Sequence, residues 1–148
     1  MYAGFNAVAM NNPKAWRREP LSAADIAERT PENRMVGAPY TKRMNAIIAV
    51  DQAAALVMMS AAKARALGID PRRWVYPMAA ADASDRWFVS ERAELSRCPA
   101  IAACARRLFE PTGLALADIH HLALYSCLPR SVPMALNALA TPDATPQA

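Results

Sequence analysis

Three cysteines, Cys98, Cys104 and Cys127, and the adjacent pair His120-His121 are the side chains of this 148-residue sequence with the plainest capacity for chemistry. A thiolate attacks acyl carbon or binds a soft metal once a base or a nearby cation lowers its pKa. Cys127 has only Arg130 close to it in sequence, so it reads first as a buried or pocket-lining thiol and second as a nucleophile. Cys104 falls on the face of an expected helix and reads as packing. An odd number of cysteines, no Cys-x-x-Cys pair and two histidines argue against a disulfide framework and against a zinc site, and favour a reducing cytoplasm. His120 and His121 follow Asp118 at the start of an expected strand and read as turn residues rather than bases.

These side chains need a body to hold them. The chain is 54% hydrophobic and 20% charged, the make-up of one average domain able to attempt a core. Alanine is about a quarter of it, so the core is expected to lean on larger residues. The net charge of +4 arrives as separated pairs, Arg17-Arg18, Lys42-Arg43, Arg72-Arg73 and Arg106-Arg107, without interleaved aromatics. No nucleic-acid footprint is expected from that pattern. The first residues lack the basic start of a secretory signal, and no window approaches the ~18 apolar residues of a membrane span.

The opening to Pro20 has no sustained period and is expected to be irregular. Ser22 and Asp25 have the spacing of a capping box, which predicts a short helix from Ser22 to Arg29. Pro31, Gly37 and Pro39 make 30–45 a loop with at most a short extended piece. Asp51 as N-cap and Gly68 as stop predict a helix over Asp51–Leu67, apolar almost all round and so in need of cover. Trp74, Val75 and Tyr76 predict a strand from Arg73 to Ala81, and 82–98 reads as a long ordered loop anchored by Trp87 and Phe88. Pro99 opens a second long helix that ends at Gly113, 122–126 is a short strand, and a last helix runs from Pro133 to Ala140. The tail at 141–148 is expected to be disordered. Alternating helices and strands give an α/β class, yet two or three strands make too small a sheet, so the fold is expected to be incomplete on its own.

Five stretches in order carry a family resemblance: Pro39-Tyr40-Thr41-Lys42 with Asn45; Val50-Asp51-Gln52-Ala53-Ala54-Ala55-Leu56; Ala81-Asp82-Ala83-Ser84-Asp85; Trp87-Phe88-Val89-Ser90-Glu91-Arg92; and Leu124-Tyr125-Ser126-Cys127-Leu128-Pro129. From about Asn12 to Ala140 the chain resembles the middle of the acetyl-CoA acetyltransferases of the thiolase family, in particular the thiolase-like branch related to sterol-carrier thiolases. The resemblance implies a partial thiolase-like fold, helices packed on a mixed sheet, with residues 1–140 spanning the end of one thiolase half and the start of the next. The family pattern Asn-Ala-Ser-Gly-x-Asn-Asp-Gly-Ala-Ala-Ala aligns on Asn45 to Ala55. Ile47 stands where that pattern has a serine of the coenzyme A pocket, and Gln52 replaces its glycine.

The family's Asn-Glu-Ala-Phe motif, whose asparagine orients an oxyanion-hole water, falls on Tyr125, Ser126, Cys127 and Leu128. Cys127 agrees with the His-Asp-Cys-Phe of sterol-carrier thiolases. By this resemblance Tyr125 and Cys127 are the candidate catalytic residues, the phenol of Tyr125 donating to a thioester oxygen. Tyr40, Lys42 and Asn45 are the candidate substrate-binding residues, with Lys42 a point charge for a coenzyme A phosphate. No metal site and no bound cofactor are implied; a coenzyme A thioester is the substrate. The family's nucleophilic cysteine and its Gly-His-Pro histidine are absent from these residues. The expected function is acyl transfer on acyl-CoA or 3-oxoacyl-CoA thioesters in lipid metabolism, in the context of a missing thiolase half or an oligomeric partner, the chain alone being inactive. The alternative is a non-catalytic thiolase-like subunit that binds acyl-CoA or a partner protein.

Overall fold

The computed structural model of the chain describes residues 1–140, and the tail expected at 141–148 lies outside the described residues. The helices are α1 (Tyr2–Ala9), α2 (Ala23–Ala27), α3 (Ala61–Ala66), α4 (Pro99–Thr112) and α5 (Ser131–Ala140), and the strands are β1 (Met35–Gly37) and β2 (Tyr40–Thr41). Short 3-10 turns lie at Lys42–Met44, Pro71–Arg73, Val89–Glu91 and Leu116–Asp118.

The first part of the opening, Tyr2–Ala9, is helical rather than irregular, where tertiary bonds supply what its sequence period does not, while 10–20 is irregular as expected. The Tyr2 phenol bonds Ser126, and the Asn6 side chain accepts from the Leu21 N–H at 2.8 Å while donating to the Glu19 carbonyl at 3.1 Å. Helix α2 begins as expected: the Ser22 hydroxyl accepts from the Asp25 N–H at 3.1 Å, and the Asp25 carboxylate takes the Ser22 N–H at 2.8 Å. It ends two residues early, at Ala27, because its last carbonyls are claimed by side chains from 33–43. The predicted loop at 30–45 contains a small antiparallel hairpin, with Met35 opposite Thr41 and Gly37 opposite Tyr40.

The helix expected over Asp51–Leu67 is reduced to its last third. Ser60, not Asp51, is the N-cap, accepting from the Lys63 N–H at 3.1 Å, and Gly68 at φ 66° closes the helix. Residues 51–59 are without regular structure. Leu56 is 93% exposed and Met58 86%, so an all-round apolar segment that finds no face to bury has no reason to become helical. Neither expected strand forms: 74–81 and 119–126 are irregular, and Val75 is 90% exposed. Among the described residues, no backbone group of 47–59, 75–81 or 120–125 bonds another backbone group.

Helix α4 starts at Pro99 and stops at Gly113, φ 66°, as expected, and it packs against α5. Helix α5 starts two residues before Pro133, at Ser131. The expected helices are thus largely present, whereas little of the mixed sheet is: the described residues hold one two-stranded hairpin. The buried apolar residues are Ile26, Ala64, Ala105, Val132, Ala135 and Ala138. Alanine supplies four of these six residues, while the larger Ile101, Leu108 and Phe109 of α4 and Met134 of α5 are only half-buried.

Candidate functional site

Two remote pieces of chain meet where the candidate residues lie. The Ala46 N–H donates to the Cys127 carbonyl at 3.1 Å, which joins the end of the 40–45 segment to the Tyr125-Ser126-Cys127 turn. From the other side α1 closes on the same turn, with Tyr2 Oη 2.8 Å from Ser126 Oγ. The turn is therefore held by its backbone and by Ser126, leaving Tyr125 and Cys127 to point elsewhere.

Cys127 is half-buried, and its Sγ lies 3.4 Å from Ser131 Oγ in the first turn of α5. No histidine, acid or cation bonds that thiol, so no base is in place to make it a nucleophile. Tyr125 is 81% exposed, its phenol free of protein partners. The strand end expected to aim it does not form, so the phenol faces solvent. His120 and His121 are exposed, consistent with turn residues.

Across the junction, Asn45 is half-buried and donates from Nδ2 to the Thr41 carbonyl at 2.7 Å, which turns the chain toward Ala46. Tyr40 is half-buried on β2, and Lys42 is exposed, its N–H donating to the Arg34 carbonyl at 2.9 Å. The structure thus joins Asn45 to the Cys127 turn through the next residue. It ties Tyr40 and Lys42 to the hairpin instead, with no bond to 125–127.

Beneath this segment lies a residue that sequence reasoning passed over. Asn33 is fully buried and donates from Nδ2 to the carbonyls of Glu28 at 2.7 Å, Ile26 at 3.0 Å and Asp25 at 3.3 Å. Its Oδ1 accepts from the Arg43 N–H at 2.9 Å. Thr41, also fully buried, adds its hydroxyl to the Ile26 carbonyl at 2.7 Å. A lone asparagine in a Pro-Glu-Asn-Arg loop carries no sequence signal for such a role.

A broad concavity lies somewhere else. An open groove of 1390 Å³ runs between the 83–98 loop and α4–α5, lined in part by Asp85, Arg92, Cys98, Arg106 and Arg130, and it includes none of the five candidate residues. Unlike the Ala46–Cys127 junction, this broad solvent-open trough positions no reactive group. Asp85 has a structural task in it, accepting the Ala100 N–H at 3.0 Å and so capping α4. Burial pushes the Cys98 thiol up, and the hydrogen bond and charge of Asp85 add to that, against a backbone N–H from Ile101 that pulls it down. Cys98 is therefore a poor nucleophile near neutrality. Among the described residues no group of three or more His, Cys, Asp or Glu could hold a metal ion, and no helix is long and apolar enough to cross a membrane.

No family model matches the chain, and no curated protein does. Among solved structures it is similar to a monomeric SCP2-thiolase-like protein type 1 from Mycobacterium smegmatis, with a TM-score of 0.78 and 32% identity over 94% of this chain. The chain spans 30% of the length of that protein. This likeness supports a thiolase-like relationship and a thiolase-like fold, and it singles out no particular member of the family.

Proposed function

We propose that these residues are part of a thiolase-like acyltransferase that works on acyl-CoA or 3-oxoacyl-CoA thioesters in lipid metabolism, in a reducing cytoplasm. The carrying observation is the Ala46–Cys127 junction, which places the Asn45 segment against the Tyr125-Ser126-Cys127-Leu128 turn. In this reading Tyr40, Lys42 and Asn45 contact the coenzyme A portion, and Tyr125 donates to the thioester oxygen once covering chain turns its exposed phenol inward. Cys127 lines the pocket beside it. The nucleophilic cysteine and the Gly-His-Pro base come from polypeptide outside these 148 residues, either a missing thiolase half or an oligomeric partner.

The second reading, a non-catalytic thiolase-like subunit that binds acyl-CoA or a partner protein, is favoured by one observation: the Cys127 thiol meets a serine hydroxyl and no base. Thiolysis of acetoacetyl-CoA decides what the chain does alone. Without a thiolate poised beside a base, there is no acyl-enzyme and an oxyanion donor has nothing to stabilise. The purified chain is expected to show no turnover. Turnover that Cys127→Ala abolishes would make Cys127 the catalytic thiol and defeat the proposal that the nucleophile lies elsewhere. Coenzyme A titration tests the binding half of both readings, with Lys42→Ala expected to weaken it.

A further inference from the structure

We infer that Asn33 is a positioning residue, the buried pivot that fixes where the 41–46 segment meets the Cys127 turn; its importance for acyl-CoA binding rests on the reading above. Helix α2 is five residues long and ends with carbonyls that have no intrahelical partner. Three of them, on Asp25, Ile26 and Glu28, converge on the two N–H groups of one amide, while the carbonyl of the same amide receives the Arg43 N–H. The amide thereby braces the end of α2 against the turn at Lys42–Met44, beside the Arg43 guanidinium, which donates to the Asp25 carbonyl at 2.8 Å, and the Thr41 hydroxyl on the Ile26 carbonyl. The Asn33 N–H is itself held by the Thr30 hydroxyl at 3.0 Å, so the pivot is anchored at both ends.

From Arg43 the order passes along a short and fully bonded path. Asn45 N–H donates to the Lys42 carbonyl at 3.2 Å, Asn45 Nδ2 to the Thr41 carbonyl, and the next N–H, on Ala46, reaches Cys127. Nothing else bonded to the backbone of 42–46 is buried as deeply as Asn33. The amide is needed chemically, since only a group with two donors and an acceptor in one plane serves all these partners. Leucine at 33 would strand the Glu28 carbonyl and the Arg43 N–H and leave the Asp25 and Ile26 carbonyls only the Arg43 guanidinium and the Thr41 hydroxyl, and aspartate would aim a negative oxygen at three carbonyls.

Asn33→Asp makes this testable by pH. Its charged form is disfavoured against the carbonyls, while its acid form recovers one donor. Asp25, Glu28 and Glu32 lie exposed around the site and Arg43 half-buried beside it; wild type shares them all, so variant-to-wild-type ratios cancel their titration. The readouts, on the full chain, are amide exchange at Arg43, Ala46 and α4, and alkylation of Cys127 in a Cys98→Ser/Cys104→Ser background. At about pH 8, Asn33→Asp is expected to speed Ala46 exchange and Cys127 alkylation about tenfold, falling within about threefold near pH 5, with α4 amides unmoved. Thr41→Val also removes a donor to Ile26 but leaves the Arg43 bond, and it is expected to leave Cys127 alkylation within about twofold.

Ratios near one at both pH values, or an equal rise at α4, overturn the assignment. In wild type alone, Arg43 exchanging as fast as the open amides of 75–81 overturns it too, even if the variant does not fold. Failure of wild type to bind coenzyme A defeats the ligand reading and leaves these ratios standing.

Discussion

The chain by itself leaves far more surface in water than a folded protein of its size, and removing denaturant from it should reveal that. A compact monomer of 16.1 kDa exposes about 7,400 Å² and its unfolded chain about 23,300 Å². The structure exposes 12157 Å², about 4,700 Å² above the compact value. Folding therefore buries about 11,200 Å² rather than about 15,900 Å², a ratio of about 0.7. Since the urea m-value and the unfolding heat capacity scale with area exposed, both should be about 0.7 of those of an ordinary domain of this mass. The assay is urea unfolding of the purified chain at two protein concentrations, with small-angle scattering of the native form. A full-sized m-value, a transition independent of concentration and a radius of gyration near 15 Å, that of a compact chain of this length, would refute the reasoning.

Other outcomes follow from single contacts. Ser22→Ala removes the α2 capping box and should speed exchange of the Ile26 amide about fivefold, the equivalent of one lost cap. The two Ser22 hydrogen bonds hold the Asp25 carboxyl below its ordinary range, so their stabilisation is present above that range and is lost as pH falls through and below it; in Ser22→Ala it should shrink but not vanish from the acid titration of α2, because the larger hydroxyl contribution goes while the backbone N–H at 22 remains. Asp85→Asn should lower the Cys98 thiol and raise its alkylation at about pH 8, by less than about tenfold because burial remains the main cause, with α4 retained because the amide oxygen still accepts from Ala100. Retention on heparin should be lost well below physiological salt; retention that persists there would give the basic pairs a polyanion role.

What could be read from the sequence was what neighbours along the chain decide. The Ser22–Asp25 box, Pro99 at the head of α4 and the glycines at 68 and 113 each act within one turn, and each stands where its chemistry put it. Arg106, Arg107 and Glu110 point outward from α4 for the same reason. Strands are different, because a run such as Trp74-Val75-Tyr76 specifies only a willingness to pair. With no partner among the described residues, 74–81 and 119–126 remain irregular, and the apolar run at 51–59 stays open beside them.

The candidate site divides along the same line. Resemblance marked Asn45 and Cys127 separately, and a single backbone bond between Ala46 and Cys127 joins their segments. Asn33 carried no mark, since its four partners come from 25–28 and from 43, and an asparagine in a loop ordinarily meets water. Tyr125 shows the opposite case, a residue chosen for its motif whose phenol has neither a strand to aim it nor a wall behind it. The two halves of the junction differ in what holds them: the 33–46 side is ordered by bonds internal to the chain, while the exposed phenol must acquire its orientation from outside. A variant at Asn33 should therefore change amide exchange in the chain as it stands, whereas Tyr125→Phe should leave that exchange unchanged.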